Sequence, residues 1–417
     1  MKKRLLLLLC ACLGLNAAAQ VTLDDCRKMA GDNYPAVRQY RLIEQTRNFN
    51  LTNASRGNLP QIALSGKASY QSDVPALPVS VPGIEFDVPK DQYQVMVEIR
   101  QNVWDGGEIR NRRMLTEVSA DEAARQTDVS MYALNERVDQ VFFGILMIDE
   151  QLRQNDLLHK ELERNLRNVT AYRDNGIAND ADVDAVSVEM LNNRQQRSHL
   201  EAVRGAYVRS LALLTGADTS AVSRPVRPEM PHTAASSTIL RPELNLFDAR
   251  LRSIDVRQKG LQTSYMPRFS LFAQGGYGNP GLNFLKDKFE PFYVVGARLS
   301  WNFGSLYTLK NDRRKLEVER ESVETERDLF LFNTRLQIAE QDGTLASLRK
   351  QMEADDEIIR LRTNIRKSAE AKVANGTLSV NEMLRELNAE SIALQTKAVH
   401  EIQLLAETYR QRHLTNQ

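Results

Sequence analysis

Two stretches of this 417-residue chain, Glu108 to Asp174 and Leu306 to Ala374, hold none of its thirteen prolines. An interior proline costs a helix about 3 kcal/mol, so each stretch reads as a helix that nothing interrupts. At 1.5 Å per residue either one would be roughly 100 Å long, and no compact domain of this size needs that. Each carries a single glycine, Gly144 and Gly343. In the first, Leu134, Val138, Val141, Ile145, Ile148 and Leu152 follow the 3.5-residue period of coiled-coil packing. The second repeats the idea with Leu309, Leu316, Val323 and Phe330, then Leu345, Leu348, Met352 and Ile359.

Self-comparison shows why there are two. Asn33-Tyr34-Pro35, Leu59-Pro60, Leu64 and Tyr70 recur 207 positions later as Leu240-Arg241-Pro242, Met266-Pro267, Leu271 and Tyr277. After a loop that is shorter in the second half the offset becomes 200. Tyr93, Val95 and Ile99 then match Tyr293, Val295 and Leu299, and Asn175-Gly176 matches Asn375-Gly376. Landmarks in one order point to duplication, and each copy has the plan helix, strand, loop, strand, very long helix, turn, helix. The expected organisation is a signal peptide over 1–19, a first repeat over 20–216, a linker over 217–240 and a second repeat over 241–417. The first repeat holds strands 61–72 and 92–104 and helices 108–174 and 178–216. The second holds strands 268–278 and 292–303 and helices 306–374 and 378–414.

Met1-Lys2-Lys3-Arg4, the apolar run Leu5 to Leu15 and Ala17-Ala18-Ala19 have the order of a secretory signal, with cleavage expected after Ala19. Leu9-Cys10-Ala11-Cys12 faintly resembles a lipidation site, and the sequence does not decide whether the N-terminus is lipidated. Of three cysteines only Cys26 survives processing, so no disulfide framework forms, and Cys26 reads as a small core residue. The formal charge of +1, mixed along the chain, gives no argument for nucleic acid. His159, His199, His232, His400 and His413 show no i,i+4 pairing, so no metal site is expected. No cofactor is expected either. No Gly-rich phosphate loop, GxSxG, HExxH or paired-Cys motif supports an enzyme. Beyond the signal no long apolar run follows, so this chain enters a membrane only as a β-barrel.

The strands suit that. Tyr93, Val95, Val97, Ile99, Gln101 and Val103 alternate with Gln94, Met96, Glu98, Arg100 and Asn102, a two-faced strand. Tyr293, Val295, Ala297, Leu299, Trp301 and Phe303 form a matching row, as do Ile62, Leu64, Ala68 and Tyr70, and Phe269, Leu271, Ala273 and Tyr277. The same alternation suits a soluble sandwich. The aromatic ends of the rows favour a membrane, with Tyr70, Tyr93, Trp104, Tyr277, Tyr293 and Trp301 as interfacial girdles. The hairpin tips carry Pro75, Pro78, Pro82 and Pro89 in one copy and Gly278, Pro280, Gly281 and Pro291 in the other. Four strands cannot close a barrel, and an open edge in lipid leaves backbone groups unpaired at several kcal/mol each. Two chains give eight strands around a filled interior, whereas three give twelve and a channel. A homotrimer in lipid is the simplest solution.

In their order, VTLDDCRKMAGDNYPAVR, GNLPQIALS, NVWDGG, YRDNGIANDADVDAV, LALLTG and VANGTLSVNEML resemble the TolC family of outer-membrane efflux ducts over essentially the whole mature chain. The resemblance implies a mixed fold, all-α plus membrane β: a duplicated unit giving four strands per chain to a shared 12-stranded β-barrel of a homotrimer. A long periplasmic α-helical barrel with coiled-coil tips continues it. The implied function is the exit duct of a tripartite efflux or type I secretion system. It would sit in the outer membrane of a Gram-negative bacterium and conduct passively what a periplasmic adaptor and an inner-membrane pump deliver. The rival is a non-conducting coiled-coil protein that tethers the outer membrane.

In such ducts the adaptor docks on the turns at the tip, which carry over to Asn175, Gly176 and Ile177 and to Asn375, Gly376 and Thr377. Family members can ring the closed tunnel with acidic residues six and nine positions after the second tip glycine. Glu382 and Arg385 stand there, so one charge is reversed. Thr377 and Leu378 follow Gly376, so the tip salt bridge of some members is not available here. Asp180, Asp182 and Asp184 in the first half are the alternative carboxylates for a cation-favouring entrance, or else a solvated acidic helix start that suits the dipole. An EF-hand is excluded, since Ala185 and Leu191 stand where its Gly and Glu belong. The sequence names neither the substrate, nor the class of pump, nor whether the tip rests open or closed.

Overall fold

The computed structural model describes residues 20–74, 90–231, 238–283 and 286–416. The expected signal peptide, the loop prolines Pro75, Pro78, Pro82 and Pro89, His232 and part of the expected linker lie outside the described residues.

The first helix, α1 (Leu23–Asn33), starts at a capping box in which Thr22 and Asp25 each accept the other's backbone N–H. It stops at Tyr34, whose φ of −63° and ψ of 131° lie outside the helical region, because Pro35 disfavours the α conformation at the residue before it. A second helix, α2 (Val37–Arg56), follows. The single helix expected before the first strand is therefore two, and Pro35 is the reason. Next come β1 (Gln61–Tyr70), β2 (Asp91–Trp104), α3 (Glu108–Asp174), α4 (Asp180–Thr215) and the short α5 (Thr219–Val222). The rest is α6 (Pro242–Gly260), a 3₁₀ turn over Leu261–Tyr265, β3 (Arg268–Asn279), β4 (Glu290–Ser300), α7 (Leu306–Ala374) and α8 (Val380–Thr415). The helices α3 and α7 run unbroken for 67 and 69 residues.

β4 ends at Ser300, short of the 303 expected from alternation. The Trp301 indole N–H donates to the Tyr265 carbonyl (2.9 Å) and the Asn302 side chain accepts the Gly304 N–H (2.9 Å), so residues 301–303 leave the ladder. The sheet is antiparallel throughout in the order β1-β2-β3-β4.

Contacts divide the chain into two compact units that cut across the repeats. One takes the chain up to Gln39, Thr127–Leu244 and the residues from Asp328; the other takes Tyr40–Gln126 and Asn245–Arg327. Each draws on both halves of the sequence. In the first unit, Val138, Phe142 and Ile145 of α3 are fully buried with Cys26, Ala30, Leu211 and Val222. Burial pushes the Cys26 thiol up to about 12, so it stays protonated and inert. The same core holds a bidentate pair in which Arg27 Nε and Nη2 donate to the Asp139 carboxylate at 2.7 and 2.6 Å. Lower in α3, Asn155 and Asn193 of α4 each donate a side-chain N–H to the other's backbone carbonyl, at 3.2 and 3.1 Å. Asp355, 200 positions on, is buried as well and meets His400 at 2.8 Å. A buried polar pair in a helical seam favours one register over its neighbours.

The His413 ring stacks on Tyr132 with centroids 4.2 Å apart and faces Glu136 at 3.7 Å, while Arg241 lies over the other ring. Burial, then the nearby Arg241 and Arg27 charges, lower its pKa from 6.5 to about 4. The unfolded chain therefore binds the His413 proton first, and stability is lost as pH falls through this window, by up to about 1.4 kcal/mol per pH unit. In chemical denaturation between pH 7 and pH 4.5, His413→Gln should lose less stability than wild type; equal losses would assign the slope to other groups.

Candidate functional site

Two groups of residues stand out, one in each compact unit. The first is the sheet. In β2 the row Tyr93 at 46%, Val95 at 56%, Val97 at 41% and Ile99 at 42% is exposed, while Gln94, Met96 and Glu98 on the other face are half-buried. A sheet in water has the reverse arrangement. Strand register carries this across all four strands: Ile62, Ile99, Ala273 and Val295 stand in one row, and Leu64, Val97, Gly275 and Tyr293 in the next. All six aromatic residues singled out as girdles are exposed. The register sorts most of them into two bands. Tyr70, Tyr93 and Tyr277 lie toward the hairpin loops and Trp104 toward the helices, while Tyr293 stands in the row of Val97 and Trp301 follows the last paired residue of β4. Tyr93 to Trp104 is eleven residue steps, so at about 3.3 Å per step and a tilt of about 40° the bands stand roughly 28 Å apart, close to the apolar height of a membrane barrel.

Simple alternation would put Trp104 on the polar face with Asn102. A bulge corrects this: the register shifts between Asn102 and Trp104, so that Trp104 pairs with Phe269 in the apolar row. Val103, placed in the apolar row by alternation, is the extra residue of the bulge. The polar face also holds two rings that alternation did not flag. Phe272 lies across from Gly296 and Phe292 across from Gly276. A Cβ on either glycine would come within 2.8 or 2.5 Å of the facing ring, so only glycine admits the ring there.

The second group is the two helix tips, which are built alike. Gly176 and Gly376 take φ of +77° and +67°, a left-handed conformation that costs other residues roughly 1–2 kcal/mol. Gly176 N–H donates to Arg173 O and Ile177 N–H to Tyr172 O, at 2.9 and 2.8 Å; Gly376 to Val373 and Thr377 to Lys372 repeat this, both at 2.9 Å. Both ends are Schellman motifs. Asn175 and Asn375 reinforce them, their side-chain amides donating to Ala171 O and Ala371 O at 2.7 and 2.8 Å. Thr377 Oγ1 adds a bond to Lys372 O (3.0 Å), which Ile177 cannot copy.

The acidic residues proposed for the entrance divide by local role. Asp182 accepts the Asn179 N–H (3.0 Å) as the third residue of a capping box, and Glu382 accepts the Ser379 hydroxyl and N–H (2.8 and 3.2 Å) in the same role. The Ser379 hydroxyl and backbone bonds, with Arg385 nearby, hold the Glu382 carboxyl below its usual value. Asp180 lies 3.6 Å from Arg173. Asp184 and Arg385 are exposed. The sequence signals N-x-x-D and S-x-x-E at 179–182 and 379–382 mark these capping boxes. A second hydrophobic cluster, including Leu162, Val169, Val373, Met383 and Leu387, packs behind the tips.

Among the described residues no group of three His, Cys, Asp or Glu could hold a metal ion, and no helix is long and apolar enough to cross a membrane.

Residues 27–217 match the family model described as Outer membrane efflux protein. No curated protein sequence matches the chain. Solved structures match at low identity over nearly the full length. The outer membrane protein VceC of Vibrio cholerae has a TM-score of 0.67 at 11% identity, covering 94% of this chain and 95% of that one. A membrane protein of Pseudomonas aeruginosa has a TM-score of 0.71 at 16% identity, covering 96% and 90%. The Campylobacter jejuni CmeC outer membrane channel has a TM-score of 0.67 at 12% identity, covering 94% and 85%. The fold, mostly helical with a small antiparallel sheet, is that of outer-membrane channels. The match to the Outer membrane efflux protein model spans somewhat less than half of the chain.

The tips give a direct test. Gly376→Val should free the Thr377 amide to exchange about tenfold faster, an opening cost lower by about 1.4 kcal/mol, whereas Gly376→Asn should exchange close to wild type. Unchanged exchange in the valine variant would show that the left-handed turn is not what protects this amide.

Proposed function

We propose that three copies of this chain form a duct through the outer membrane of a Gram-negative bacterium, each giving four strands to a twelve-stranded barrel and its long helices to a periplasmic tunnel. The observation that carries this reading is the exposed apolar face of a sheet with two open edges. Such a face wants lipid, and in lipid the edges of β1 and β4 need partners. Neighbouring copies supply them, β1 against β4, and twelve strands leave a channel where eight would not. Exposed Leu329, Phe332 and Leu336, at helical spacing along α7, support further packing between copies. The charged residues on the opposite face of the sheet favour conduction over the tether: a water-filled bore has a use for them.

The tip turns Asn175, Gly176, Ile177, Asn375, Gly376 and Thr377 then face the periplasm and dock an adaptor, which connects the duct to an inner-membrane pump. Asp184 and Asp180, assisted by Asp182 and Glu382 and opposed by Arg385, set the charge of the entrance. Because Asp182 and Glu382 also cap their helices, Asp184 is the carboxylate most available to passing ions. Mass measurement of the purified protein in mild detergent should give a species of three chains. A monomer under conditions that keep the helices folded would remove the shared barrel.

A further inference from the structure

We propose that the polar face of the sheet is an anion-selecting belt, in which Arg100 and Arg298 set selectivity over a carboxylate, Glu98, held beneath them. The proposal rests on the duct reading, since it takes this face to line the bore.

Three cations and one carboxylate lie along that face: Lys67 in the row of Gln94, Glu98 and Arg100 on β2, and Arg298 in the row of Ser270 and Asn102. Arg268 and Glu290, at the two ends of that face, are locally paired, Arg268 with Glu108 at 2.8 Å and Glu290 with Lys286 at 3.3 Å. Glu98 is the most covered of the four. Its side chain is only 19% exposed, accepts a bond from Gln274 Nε2 (2.8 Å), and lies 3.9 and 4.0 Å from the Arg100 and Arg298 guanidinium groups. The two arginines are 49% and 46% exposed. What this face shows to solvent is therefore guanidinium, with the carboxylate's charge turned inward to hold the pair in place. Arg298 is further fixed over the Phe272 ring at 5.0 Å, and Phe272 has room because Gly296 lies across from it. Lys67 stands on the same face, in register with Gln94, and is exposed.

Three copies around one bore would bring the Arg100 and Arg298 pairs together in a ring. A ring of fixed like charge in a narrow channel concentrates counter-ions and repels co-ions. Guanidinium also pairs with carboxylate, sulfonate and phosphate groups through paired N–H donors, which an ammonium cannot match. With Phe272 and Phe292 beside the arginines, the belt suits organic anions that carry an apolar part. The acidic tip and the basic belt would then be opposite filters, in separate compact units.

The test is the reversal potential of the full-length protein in planar bilayers under a potassium chloride gradient. Arg100→Gln/Arg298→Gln should lower the chloride-to-potassium permeability ratio severalfold relative to wild type, Arg100→Lys/Arg298→Lys should stay near wild type, and Glu98→Gln should raise the ratio. Should the glutamine double variant fail to insert, Arg100→Gln and Lys67→Gln singly should each shift the ratio in the same direction by less. A conducting channel whose ratio is unchanged in the glutamine variants overturns the belt and leaves the duct intact. A wild-type protein that inserts without conducting overturns the duct, and the belt with it.

Discussion

A backbone N–H or C=O cannot be left unpaired in hydrocarbon, and this single constraint organises the molecule. The sheet presents its apolar side chains outward, yet β1 and β4 each have an open edge. In water these two facts would be separate liabilities. In lipid they become one requirement, since every edge group needs a partner at a cost of several kcal/mol if it has none. In the proposed duct a second copy of the same chain is that partner, and repetition around an axis closes the ladder. The helical part has a parallel need, because α7 carries an exposed apolar stripe that a neighbouring helix could cover.

Local chemistry is fitted to that arrangement. The bulge at Asn102 to Trp104 moves one large aromatic from the polar face to the apolar one without altering the rest of the ladder. Gly276 and Gly296 make space for Phe292 and Phe272 on the opposite face. At the tips, the helix ends satisfy their own last carbonyls through Schellman turns, and capping boxes satisfy the first N–H groups of the helices that follow. Both tips are therefore locally complete. Any docking partner meets preformed turns and loses little entropy in ordering them.

Much of this was legible because its signals are local and periodic. The absence of proline and the 3.5-residue seams of Leu134 to Leu152 mark the long helices, and alternation over Tyr93 to Ile99 marks both faces of a strand. Where the sequence misled, a single residue overrode the period. Pro35 broke one expected helix into two by its effect on Tyr34, and Val103 entered a bulge that simple alternation cannot foresee. The first-half acids were read as entrance charges or as a solvated acidic helix start, although the three-residue spacing of Asn179 to Asp182 and of Ser379 to Glu382 already marked capping. Arg27 and Asp139, 112 positions apart, carry no local signal. Neither does Glu98 beneath two arginines, which depends on strand pairing across β2, β3 and β4.

The central claim is that the apolar face of the sheet touches lipid. Spin labels placed one at a time from Tyr93 to Asn102 in the reconstituted protein, with oxygen as the lipid-soluble relaxant and a nickel chelate as the water-soluble one, report this directly. The account predicts a period of two, with oxygen dominating at 93, 95, 97 and 99 and nickel at 94, 96, 98 and 100. Uniform access to nickel at every position, or the opposite phase, would contradict it.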